Sequence, residues 1–156
     1  MRVLFVCTGN TCRSALAEAL ARRDAADLLL PDVEVSSAGV HAWTGAPASD
    51  GALLVALENA IDLSEHRARA VDKELLATQD LILVMSPHHL ERVEALGGRG
   101  RAHLLSSYAS RGTSARAITD PFGGDLDAYR EAYEDLRAEV RAAMERLAEE
   151  RARNGS

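Results

Sequence analysis

Apolar and polar positions follow two rhythms along this chain, and each change of rhythm marks an element. Val3-Leu4-Phe5-Val6 is an unbroken apolar run. Small and polar residues including Gly9 follow, then Leu16, Ala19 and Leu20 at helical spacing, a pattern of buried strand, tight loop and helix. This helix is expected to fade near Arg22 to Ala26. After Pro31, Val33-Glu34-Val35-Ser36-Ser37 alternates as a half-exposed edge strand does. The loop from Ala38 to Pro47 holds Gly39, Trp43 and Gly45, and Ser49 can cap a helix carrying Leu53, Leu57 and Ile61. Asp72 to Thr78 reads as a short helix, and Leu81-Ile82-Leu83-Val84-Met85 as a second fully buried strand. Ser86-Pro87 opens a helix that stops at Gly97-Gly98, and a short fourth strand spans His103 to Leu105. From Ser106 to Thr119 the chain is polar and irregular, the profile of a functional loop. Leu126, Tyr129, Tyr133, Leu136, Val140, Ala143 and Leu147 then mark one apolar face of a long helix.

Strands that alternate with helices imply a parallel sheet with helices on both faces, and the two continuous apolar strands belong at its centre. The expected fold is an α/β single-domain, doubly wound four-stranded parallel sheet of order 2-1-3-4. In such sheets ligands bind beyond the carboxyl ends of the strands where the winding reverses, here between the first and third strands. Cys7 falls at that point.

Composition narrows the function. The 156 residues suit one domain spanning 1–156, with 151–156 as a frayed tail. A net charge of −6 argues against a broad nucleic-acid-binding face. The first strand begins at Arg2, which leaves no room for a signal peptide, and no apolar run approaches the roughly 20 residues that span a membrane. A cytoplasmic protein with no membrane partner is therefore expected. Both cysteines, Cys7 and Cys12, lie in one loop, so no disulfide framework is present. Neither Cys nor His shows metal-ligand spacing, and neither a metal nor a cofactor is expected.

The loop carries the candidate chemistry. A strand that turns through a short loop into a helix presents backbone N–H groups and the positive end of the helix dipole to an anion. Arg13, six positions after Cys7, adds a planar fork of donors matched to two phosphate oxygens. A helix N-terminus and a neighbouring arginine favour the thiolate form of a cysteine, the form that attacks.

Cys7 to Ser14, written CTGNTCRS, resembles the phosphate-binding loop of the low-molecular-weight protein tyrosine phosphatase family, including its protein arginine phosphatase branch. The length of the chain and the late Asp120-Pro121 also match, so the resemblance covers nearly the whole sequence. It implies a phosphoprotein substrate and phosphoryl transfer to Cys7, with Arg13 and the loop residues Thr8, Gly9, Asn10, Thr11 and Cys12 holding the phosphate. It implies Asp120 as the proton donor to the leaving group; read without the family, Asp120 is more simply a helix-entry or turn aspartate before proline. Ser14 would donate to the Cys7 sulfur as it leaves. Asn10 matches a loop-bracing asparagine, and Ser37 and His66 match the residues bonded around it. Cys12 would capture an oxidised Cys7 as a disulfide.

Three positions bear on the substrate. Thr11 matches the arginine phosphatase branch, where the tyrosine enzymes usually carry Ile. Phe122 can form a pocket wall, but Gly123 stands where the tyrosine enzymes commonly have a second aromatic residue. Trp43, which matches an aromatic pocket residue of the tyrosine enzymes, points the other way. The balance favours phosphoarginine, with phosphotyrosine as the alternative. An arsenate reductase would need further cysteines outside the loop, and a non-catalytic phosphoresidue-binding module would be expected to lose Cys7, Arg13 or Asp120. A small-molecule acid phosphatase stays open.

Overall fold

The apolar runs of the first and third strands are explained by burial on both sides. The structure is a computed structural model and describes residues 1–154. Strands β1 (Arg2–Cys7), β2 (Glu34–Gly39), β3 (Leu81–Val84) and β4 (Ala102–Leu104) pair in parallel in the order β2-β1-β3-β4. Side chains alternate across a strand. Val3, Phe5 and Cys7 of β1 therefore join one core, with Leu16 and Leu20 of helix α1 (Arg13–Asp27) and Tyr133, Leu136 and Val140 of helix α6 (Leu126–Arg153). Leu4 and Val6 join a second core on the opposite face, with Leu76 of α3 (Lys73–Ala77) and Val93 of α4 (Pro87–Val93). This is the expected doubly wound arrangement.

Two helices end otherwise than the apolar spacing predicts. Helix α2 (Asp50–Glu58) stops before Ile61, yet Ile61 is buried. Ala60 turns into the left-handed region at φ 60°, Ile61 N–H bonds to Ala56 O at 2.8 Å, and Ala60 N–H bonds to Leu57 O at 3.2 Å. This paired C-terminal bonding swings the apolar residue after the turn back onto the helix. Helix α1 runs on to Asp27 and ends in the same way, with Leu29 at φ 57° and Leu30 N–H bonded to Ala25 O.

The stretch from Ser106 is not irregular from its start. Leu105 and Tyr108 bury themselves in helix α5 (Leu105–Ala109), and the Arg146 guanidinium lies 4.1 Å from the Tyr108 ring centre. Packing on α6 overrides a locally polar sequence. The remainder is sewn down: Ser106 Oγ donates to Arg116 O and Ser107 Oγ to Ser114 O, while Ile118 N–H bonds to Met85 O at 2.8 Å. That last bond brings Asp120 to the carboxyl end of the sheet. At the other end of this segment α6 extends through Arg153, inside the span expected as a tail; Gly155 and Ser156 lie outside the described residues.

Candidate active site

The loop between β1 and α1 is built around Asn10. Its backbone takes φ 57°, a conformation that Asn tolerates better than most residues. Its fully buried side chain ties down three neighbours: Nδ2 donates to Ser14 Oγ at 2.7 Å and to Ser37 Oγ at 2.9 Å, and Oδ1 accepts from Arg69 N–H at 3.0 Å. His66 Nε2 bonds to Asn10 O at 2.6 Å. Ser37 Oγ in turn donates a hydrogen bond to Glu18 Oε1 at 2.8 Å. Asn10, Ser14, Ser37 and His66 are therefore brought into one network.

Gly39 closes the loop from beneath. A Cβ there would stand 2.4 Å from Thr8 O and 2.9 Å from Asn10 N, both backbone atoms. The absence of a side chain lets the strand end and the loop approach one another.

Above this base Cys7 Sγ lies 2.9 Å from Ser14 Oγ. Helix α1 starts without a side-chain cap, which leaves the unpaired amides of its first turn for an anion. The Arg13 side chain is nearly buried; Nη1 donates to Ile118 O at 3.0 Å and Nη2 lies 3.5 Å from Asp120 Oδ2. Asp120 is half-exposed, and its Oδ1 accepts from Phe122 N–H at 3.0 Å. A cleft of about 220 Å³ is lined by Cys7, Thr8, Gly9, Thr11, Cys12 and Arg13 of the loop together with Asp120 and Phe122. A nucleophile, a buried cation, a carboxylate and a set of amides thus converge on a space of phosphate-ester size.

Cys12 is buried and also lines the cleft. Burial, reinforced by the nearby Cys7, pushes its thiol up to about 12, so it stays protonated at neutral pH. Both cysteines are free thiols. Among the described residues no group of His, Cys, Asp and Glu could hold a metal ion, and no helix is long and apolar enough to cross a membrane.

Trp43 is not brought to the cleft. Its loop is pinned by Gly45 N–H to Ala68 O and by Ala46 N–H to Trp43 O, and the indole is 85% exposed. Several residues at the loop escaped the sequence reading. Arg69 supplies the amide that holds Asn10 and donates Nε to Ser37 O at 2.9 Å. Glu18 anchors Ser37, and the buried His89 reaches Thr8 Oγ1 at 2.8 Å. One signal for His89 was available: Ser86-Pro87-His88-His89 follows β3, the second strand of the switch point.

With fold and cleft in view, the class of protein is defined. The chain belongs to the low molecular weight phosphotyrosine protein phosphatase family, whose model matches residues 2–153, and it is accordingly a protein phosphatase. Among its relatives, a protein-arginine-phosphatase of Geobacillus stearothermophilus is 39% identical over 150 residues, covering 95% of this chain and 94% of the relative. The low molecular weight protein-tyrosine-phosphatase PtpB of Staphylococcus haemolyticus is 37% identical over 137 residues, covering 87% and 92%. A solved structure of the YwlE arginine phosphatase, with cysteine replaced by serine and the active-site serine phosphorylated, is 34% identical. It superposes with a TM-score of 0.90 over 97% of this chain and 99% of the other.

Proposed function

We propose that this protein removes the phosphoryl group from protein phosphoarginine through a phosphocysteine at Cys7. Family membership supplies the phosphoprotein substrate, and the choice of phosphoarginine rests on one observation above all. Gly123, next to Phe122, takes φ 82°, where a side chain would be strained. A second aromatic ring is disfavoured there, so the cleft offers one ring wall, Phe122, and shares its lining between that ring and the polar residues Thr11 and Asp120. Those groups suit a planar, polar guanidinium better than an apolar ring.

In the first step the Cys7 thiolate attacks phosphorus while the P–N bond breaks. Asp120 delivers a proton to the departing guanidine nitrogen, and Arg13 with the loop amides takes up the negative charge on the phosphoryl oxygens. In the second step water attacks the phosphocysteine, Asp120 takes its proton, and the S–P bond breaks. The Ser14 hydroxyl, 2.9 Å from Sγ, stabilises the leaving thiolate. The relative solved with a phosphorylated serine in place of its cysteine supports a covalent intermediate at this position.

The test compares kcat/KM on phosphoarginine and phosphotyrosine peptides for the native protein, Thr11→Ile and Cys7→Ser. Native protein should favour phosphoarginine by about tenfold or more, Thr11→Ile should shift the ratio toward phosphotyrosine, and Cys7→Ser should abolish both. A native preference for phosphotyrosine would install the tyrosine reading instead.

A further inference from the structure

The chemistry above leaves a second polar chain at the same loop without a role. His89 of α4 is fully buried, with Nε2 2.8 Å from Thr8 Oγ1 and Nδ1 2.9 Å from Ser86 Oγ. Ser86 Oγ also lies 2.9 Å from Nδ1 of the exposed His88. The chain of bonds thus runs from the surface at His88, through Ser86 and His89, to a hydroxyl that lines the cleft.

Counting protons limits what this chain can do. Burial, with His88, Arg13 and His41 nearby, holds the His89 pKa down to about 3, so the ring is neutral and carries one N–H. Ser86 is buried, and its single O–H faces two ring nitrogens. Accepting from both would strand that O–H without a partner, an unfavourable arrangement in a buried site. Two arrangements are left. In one, Ser86 donates to His88, His89 Nδ1–H donates to Ser86, and His89 Nε2 accepts a hydrogen bond from the Thr8 O–H; Thr8 then shows lone pairs to the cleft. In the other, His88 Nδ1–H donates to Ser86, Ser86 donates to His89 Nδ1, and His89 Nε2–H donates to Thr8 Oγ1. The Thr8 O–H is then free for a ligand. Both hold the same protons, and an anion in the cleft is repelled by the first and bound by the second.

We propose that the His88-Ser86-His89 chain sets the Thr8 hydroxyl to donate into the cleft, making Thr8 a side-chain donor to the phosphoryl oxygens and His89 its positioning residue. The proposal rests on the cleft being the phosphoryl site. It gives the loop a neutral donor in addition to Arg13 and the amides, held by a ring that cannot charge at neutral pH.

Inorganic phosphate binding to the native protein, followed by phosphorus NMR or calorimetry, tests it beside kcat/KM and Tm. Thr8→Val should weaken phosphate binding by about tenfold, the worth of one hydrogen bond to a charged group, and Thr8→Ser should restore it. His89→Gln keeps a donor near the Nε2 position and should bind phosphate almost as the native protein does. His89→Asn keeps only the Ser86 partner and should lose about as much as Thr8→Val. The double variant Thr8→Val with His89→Asn should be no worse than either alone. The proposal is overturned if Thr8→Val lowers Tm and leaves phosphate affinity and kcat/KM unchanged. It is equally overturned if His89→Asn binds as well as His89→Gln, or if the two losses multiply in the double variant. Native protein that fails to bind phosphate, or Cys7→Ser that still turns over, would instead remove the reading of the cleft and the proposal with it.

Discussion

Asn10 is where the structure makes its most quantitative demand. Removing its side chain deletes three hydrogen bonds, to Ser14, Ser37 and the Arg69 amide, in a site shut off from solvent. At about 1 kcal/mol each, Asn10→Gly should cost about 3 kcal/mol. Asn10→Ala loses the same bonds and also places a Cβ at φ 57° without the local bonding that offsets it, which adds about 1 kcal/mol. For a chain of this size each kcal/mol lowers Tm by roughly 2–4 °C, so glycine should lose about 6–12 °C and alanine a few degrees more. Activity should fall as well. The Asn10 amide occupies one lone pair of Ser14 Oγ and leaves the Ser14 proton to Cys7, and without it kcat should drop by about tenfold. Thermal melts and steady-state turnover of an aryl phosphate check both. Variants melting within 1 °C of native, or alanine and glycine giving the same Tm, would refute the account of this residue.

Three further outcomes follow from the same geometry. Gly39→Ala drives a Cβ against Thr8 O and Asn10 N, so it should cost about 1–3 kcal/mol and more than tenfold in kcat/KM, measured by melts and turnover; a native-like variant would mean the loop yields freely. Alkylation with iodoacetamide at pH 8 should label one cysteine per chain and Cys7→Ser none, because a Cys12 thiol pushed up to about 12 is about one part in ten thousand thiolate there. His89 links stability to pH: its pKa falls from 6.5 unfolded to about 3 folded. Its contribution is therefore whole above pH 6.5, and between pH 6.5 and 3 the unfolded chain holds a proton that the native one does not. Stability should decline as pH falls at up to about 1.4 kcal/mol per unit, and urea midpoints of His89→Gln should show a flatter slope over that window.

Much of this protein is local and therefore legible in its sequence. Two continuous apolar strands, helices between them and a glycine-bearing loop before an alanine-rich helix define a parallel doubly wound sheet with Cys7 at the reversal of winding. Strand period and helix period are properties of adjacent residues, so they survive without coordinates. Cys7, Arg13 and Ser14 belong to one short segment, and the segment's conformation alone brings them together. Asp120 depended on the family's order of motifs, because more than a hundred residues separate it from Cys7.

The tertiary structure decided what depends on contacts between distant segments. Gly39 is an ordinary strand-end glycine until Thr8 O is placed where its Cβ would be. Arg69, Glu18 and His89 have no local pattern that tells them from solvated polar residues; each gains its role from a partner between 19 and 81 positions away. Leu105 to Ala109 is helical because α6 offers Tyr108 a surface, and Trp43 stays exposed because backbone bonds fix its loop. Periodicity states which face of an element is apolar, and only the packed chain states what that face, or a polar group at its edge, will meet.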